Sequence, residues 1–141
     1  MKKLIFGLLS LTLLATACKK DKDAPAMTKE NIAGTYKMTA EIYKMPAGQG
    51  PDEDLFSTYQ SCVKDDQYKL NLDGSFQAVD AGEVCDPSNA FESTWQVEGN
   101  HLTVGENVYT ISKFDGSVLV LTEFSGTGED EHGYITTYTK Q

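Results

Sequence analysis

The chain has no arginine. Its 12 basic residues are all lysines, set against 21 acids in 141 residues, for a formal charge of −9. Phosphate recognition draws on clustered lysine and arginine, so no nucleic-acid partner is expected. Histidine is almost as scarce. His101 sits beside a hairpin turn and His132 in an acidic loop, and neither accompanies a G-x-S-x-G motif or a nearby cysteine nucleophile. Ser125-Gly126-Thr127-Gly128 is not followed by a lysine-bearing helix, so it is no phosphate loop, and no EF-hand spacing occurs. Asp65 and Asp66 are adjacent, and neighbours on a strand point to opposite faces. They read as capping or turn residues, while Asp52-Glu53-Asp54 and Glu129-Asp130-Glu131 read as solvated loop charges. The expectation is a chain without catalytic residues, metal site or cofactor. Long apolar runs are missing too. Leu4 to Ala17 spans 14 residues, short of the ~20 that a membrane-spanning helix needs.

What is present begins at the N-terminus. Lys2 and Lys3 precede the apolar run Leu4 to Leu14, and the small residues Ala15-Thr16-Ala17 lead to Cys18. This is the pattern of a secretory signal. With a cysteine at the cut site, it resembles a bacterial lipoprotein signal. The resemblance implies that residues 1–17 are removed and that Cys18 becomes an acylated N-terminus. Residues 18–29 would then be a polar tether. Each buried methylene adds about 0.8 kcal/mol, and two or more acyl chains anchor stably. With Lys19 in place of an aspartate after the cysteine, the lipoprotein resemblance implies the outer membrane, on its periplasmic or cell-surface face. Loss of Lys2 and Lys3 moves the formal charge from −9 to −11. An acidic body is repelled by an anionic bilayer, which leaves the anchor as the link to the membrane.

Three cysteines occur. With Cys18 assigned to lipid, Cys62 and Cys85 remain in an oxidising compartment and read as a disulfide. Closing that loop contributes roughly 3 kcal/mol in the chain-entropy model. The pair lacks the C-x-x-C spacing of reactive cysteines.

Beyond Thr28 the sequence alternates with a period of two. Tyr36, Met38, Ala40 and Ile42 alternate with Lys37, Thr39 and Glu41, which predicts one apolar and one polar face. Tyr68, Leu70 and Leu72 lead through Asp73-Gly74 to Phe76 and Ala78, a strong hairpin signal. Ser93 to Val97 turns at Gly99-Asn100 into Leu102 and Val104, Val108 to Lys113 turns at Asp115-Gly116 into Val118 to Phe124, and Tyr134 to Lys140 closes the chain. Val118 to Leu121, apolar on both faces, suggests a strand covered on its outer side. Eight short strands argue for an antiparallel meander, either barrel or sandwich, and a barrel removes exposed edges. The long break near residues 44–65 reads as one long loop or a short helix: Met45 to Pro51 is loop, and Asp52 to Tyr59 suits either a short helix or further loop.

Ile32-Ala33-Gly34-Thr35-Tyr36-Lys37-Met38 resembles the opening strand of the small lipocalin-like domains of Gram-negative lipoproteins, with Tyr36 in place of a tryptophan. Cys62 to Tyr68, Asp73-Gly74-Ser75-Phe76, and Cys85 followed by Ser93-Thr94-Trp95-Gln96-Val97 are similar to the rest of the pattern. The resemblance implies an all-β, eight-stranded antiparallel up-and-down barrel over residues 30–141. Such a barrel either holds one small ligand or is filled by its own side chains. Tyr36, Met38, Tyr68, Phe76, Trp95, Tyr109 and Tyr138 are the candidate wall residues, and each has an alternative reading as core. Two functions stay open. One is a lipid-anchored envelope protein holding a small apolar ligand. The other is a surface-mediated interaction or inhibitor module whose negative charge suits a basic protein partner.

Overall fold

The computed structural model describes residues 24–141. The expected signal segment 1–17, Cys18 and the expected tether as far as residue 23 lie outside the described residues. The described chain enters through Thr28, whose hydroxyl caps a one-turn helix, α1 (Lys29–Ile32), by accepting from the Asn31 N–H. Met27 already packs against the core, and Ile32 is fully buried. The polar stretch therefore joins the fold a few residues before position 30.

Nine strands follow: β1 (Gly34–Lys44), β2 (Glu53–Asp54), β3 (Gln67–Leu70), β4 (Ser75–Val79), β5 (Phe91–Glu98), β6 (His101–Val104), β7 (Asn107–Phe114), β8 (Val118–Ser125) and β9 (His132–Lys140). From β3 to β9 each strand pairs antiparallel with the next, and β1 pairs with both β3 and β9. The sheet thus closes on itself as an eight-stranded barrel, and β2 is an appendage outside the ring. The turn residues act as their types require. Asp73 accepts from the Ser75 N–H at 2.8 Å, and Gly74 takes φ +93°, a value costly for a side chain.

The segment near residues 44–65 combines loop with short helical turns, but not a helix over Asp52–Tyr59. In place of a helix over Asp52–Tyr59, Glu53 and Asp54 pair with Tyr43 and Ile42, a 3-10 turn covers Phe56–Thr58, and a four-residue helix α2 spans Ser61–Lys64. The cause lies in β1. Its β3 partner reaches only Gly34 to Lys37, so the far half of that edge has free backbone groups for β2 to satisfy. Cys62 in α2 is bonded to Cys85 in the β4–β5 connection, with Cα atoms 5.3 Å apart.

A second departure changes a face. Opposite β9, the register of β1 shifts between Met38 and Ala40, leaving Thr39 as an extra residue. Such a bulge reverses which residues point inward beyond it. Glu41, expected on the polar outer face with Lys37, stands opposite Thr136 on the inner face. Ala40 and Ile42 move to the outside, opposite Thr137 and Ile135.

The two ends differ. At one lie α1, the Asn71–Gly74 turn, the Asp115–Ser117 turn and the C-terminus, tied by bonds such as Lys140 Nζ to the Asn31 carbonyl, 3.0 Å. Trp95 and Phe114 are buried there with Ile32. At the other end stand the long connections and the Gly105–Glu106 turn. On β8, Leu119 and Leu121 are buried inward, while Val118 and Val120 are half-buried on the outer side.

Candidate functional site

The barrel is hollow. A cavity of about 420 Å³ lies inside it, with walls from all eight barrel strands. Leu70, Phe76, Leu102, Leu119 and Leu121 form its aliphatic and aromatic lining. All five are nearly inaccessible to bulk solvent. Tyr36, Tyr68, Tyr109 and Tyr138 add phenol rings, and Tyr68 meets Tyr138 edge-on with centroids 5.3 Å apart. The mouth is marked by the exposed Phe91 and by Gly105, Glu106 and Asn107.

Of the residues singled out by sequence, the structure brings Tyr36, Tyr68, Phe76, Tyr109 and Tyr138 together on this wall. Trp95 is placed elsewhere. It is buried in the floor, donates from Nε1 to the Asn71 carbonyl at 2.8 Å, and has the Lys29 ammonium 5.6 Å from its ring. Met38 is half-buried just before the bulge and lines neither this cavity nor its neighbour.

That neighbour is a recess of about 300 Å³ that shares Tyr109, Leu121 and Tyr138 with the main cavity. Glu41, Tyr59, Glu123, Tyr134 and Thr136 complete it. The Glu41 carboxylate accepts from Thr136 Oγ1 at 3.1 Å and, through its other oxygen, from the Tyr59 hydroxyl. Tyr59 comes from the segment after β2, so the β2 pairing and the bulge together build this contact. Neither was visible in the alternation of residues 36–42. The lipocalin-like pattern held no signal for it either.

Five phenols of the two spaces have raised pKa values. Burial pushes Tyr36 and Tyr68 up to about 12, and burial followed by the Glu41 hydrogen bond pushes Tyr59 up to about 12. Burial also raises Tyr109 and Tyr138, with Glu123 adding to the first and Tyr68 to the second. Each of these hydroxyls keeps its proton to donate; Tyr36 donates to the Ile32 carbonyl at 2.6 Å and Tyr59 to Glu41. No lysine or histidine lines either space, so the charged wall residues are all acids, Glu106 at the mouth and Glu41 and Glu123 in the recess.

Outside the barrel, Asp65 accepts from the Glu83 N–H at 2.9 Å, and Asp80 accepts from the Cys85 and Asn89 N–H groups, so these carboxylates shape the disulfide-bearing loop. Asp66 is buried with one oxygen lacking a partner. Burial, followed by the Asp80 carboxylate, raises its pKa. Among the described residues no group of three or more histidine, cysteine or acidic side chains is placed to hold a metal ion.

A family model for the lipocalin-like domain matches residues 32–141, the whole barrel. No curated protein and no solved structure matches the chain.

Proposed function

The chain belongs to the lipocalin-like domain family, and from that premise we propose that it is a lipid-anchored envelope protein holding a small ligand with an apolar body inside its barrel. The 420 Å³ cavity carries this reading. Small-molecule sites occupy about 300–1,000 Å³ and combine apolar walls with a few polar groups. Aliphatic side chains and phenol rings supply both here. Binding is the role this reading assigns: no serine, cysteine or lysine on the walls is paired with a base, and the Tyr59–Glu41 contact serves to orient the carboxylate.

Native mass spectrometry after mild extraction tests the reading. The expected result is a bound mass of small-molecule size that is lost on denaturation. A protein that carries nothing and takes up no hydrophobic probe overturns it. Anchoring is tested separately. Cys18→Ser should yield a folded domain that leaves the membrane fraction, and continued membrane attachment of that variant removes the anchor from the proposal.

A further inference from the structure

We propose that the ligand is an amphiphilic amine, its apolar body in the main cavity and its cationic nitrogen in the recess against Glu41. The inference rests on the ligand-binding reading and names the chemical class that the same site selects.

Three observations carry it. First, Glu41 is an acid turned into the barrel by the bulge at Thr39, in a wall whose continuation is apolar. An inward carboxylate in such surroundings costs free energy unless it is partnered. Second, its known partners leave capacity. Each carboxylate oxygen accepts about two hydrogen bonds. One oxygen has Thr136 and the other has Tyr59. Both contacts orient the group without neutralising its charge, and an ammonium supplies what is missing. Third, the surroundings fit a cation. The rings of Tyr59, Tyr109, Tyr134 and Tyr138 line the same recess. Aromatic faces attract cations through the ring quadrupole. Glu123 adds a second negative charge at its exposed side. The same set opposes an anionic ligand. With no cation on either wall, a carboxylate headgroup would meet Glu41, Glu106 and Glu123 unpaired.

Matched probes test the class. 2-Phenylethylamine, 2-phenylethanol and 3-phenylpropanoate share a phenyl body and differ in head charge. Each is titrated calorimetrically into the mature protein held in phosphatidylcholine nanodiscs, whose lipid carries no net charge, with protein-free nanodiscs as the blank. The amine should bind tightest and the carboxylate weakest. Glu41→Gln keeps an acceptor for Thr136 and should lower amine affinity about tenfold or more, the scale of a hydrogen bond to a charged group. Alcohol affinity should stay unchanged. Glu123→Gln should act in the same direction by less, and Glu98→Gln, on the exposed outer end of β5, should do nothing. An amine that binds no better than the alcohol, or a preference that survives Glu41→Gln, overturns the amine while leaving the cavity as a ligand site. If none of the three probes binds, both the amine and the ligand-binding reading fall.

Discussion

Thr136 Oγ1 donates a 3.1 Å hydrogen bond to Glu41 Oε1 across the seam where the last strand meets the first. The contact exists because Thr39 is an extra residue in β1. Without that residue Glu41 would face solvent, and Thr136 would lose its charged partner inside the barrel.

Thr136→Val keeps the shape of the side chain and deletes the donor. The loss should be about 1–2 kcal/mol in urea unfolding, within the range for hydrogen bonds to charged groups and reduced by the gain in strand propensity. Combined with Glu41→Gln the two effects should be less than additive. Full additivity would mean that the residues do not interact.

Much of the fold was legible because each strand carries its own signal. Asp73-Gly74, Gly99-Asn100 and Asp115-Gly116 lie between alternating runs, and each makes the turn its residues predict. The tyrosines at 36, 68, 109 and 138 share a face for the same reason. Glu41 was not legible. Thr39 looks like an ordinary polar position, and its status as a bulge depends on how β1 registers against β9, about a hundred residues away in sequence. The strand pairing of Glu53 and Asp54 is hidden for a related reason. Their acids suit a first helical turn, but the unpaired edge of β1 that recruits them is a property of the assembled sheet. Trp95 follows local rules for an inward residue, yet only the packing of α1 and the Asn71 turn assigns it to the floor.

The phenols predict an alkaline weakness. An unperturbed tyrosine ionises near 10, whereas Tyr36, Tyr59 and Tyr68 in the folded barrel are pushed up to about 12. Between those values the unfolded chain loses protons that the folded chain keeps, so stability falls as pH rises through that window. Tyr36 and Tyr68 should each contribute a loss of up to ~1 kcal/mol per pH unit. Denaturation at stepped alkaline pH, read beside phenolate absorbance, checks this. Titration of all seven tyrosines together near 10 while the barrel stays folded would contradict it.

Asp66 predicts the opposite end of the scale. Its raised pKa means that the folded state binds the proton more tightly than the unfolded chain. Stability contributed by this group is therefore present at acid pH and falls as pH rises from the usual carboxyl range through the folded value. Asp66→Asn should remove that fall. Relative to the parent, the variant should gain stability between acid and neutral pH, measured by urea midpoints at both. A relative loss over the same interval would show the carboxylate to be favourably partnered.

The disulfide closes a loop with a sequence separation of 23. Replacing both cysteines, Cys62→Ser with Cys85→Ser, should lower stability by about 3 kcal/mol, through added freedom of the unfolded chain. The Asp65 and Asp80 bonds to the same loop remain, so the barrel should still fold. Loss of the fold would mean that the staple organises the strands and not only their connections.

The chain enters the barrel through its floor, beside α1 and the Asp115–Ser117 turn, while the cavity opens past Gly105 and Glu106 at the far end. On the proposed ligand-binding reading, that polarity would set a direction of traffic. An anchor at Cys18 would moor the sealed end to the bilayer and leave the mouth facing water. Cargo would then arrive from solution or be handed over by a partner in the aqueous space, and would not be drawn straight out of the lipid beneath. Fluorophores attached at positions 106 and 117 of the membrane-bound protein, with lipid-borne quenchers in the bilayer, measure this directly. Position 117 should be quenched and 106 spared, and the reverse pattern would turn the molecule over.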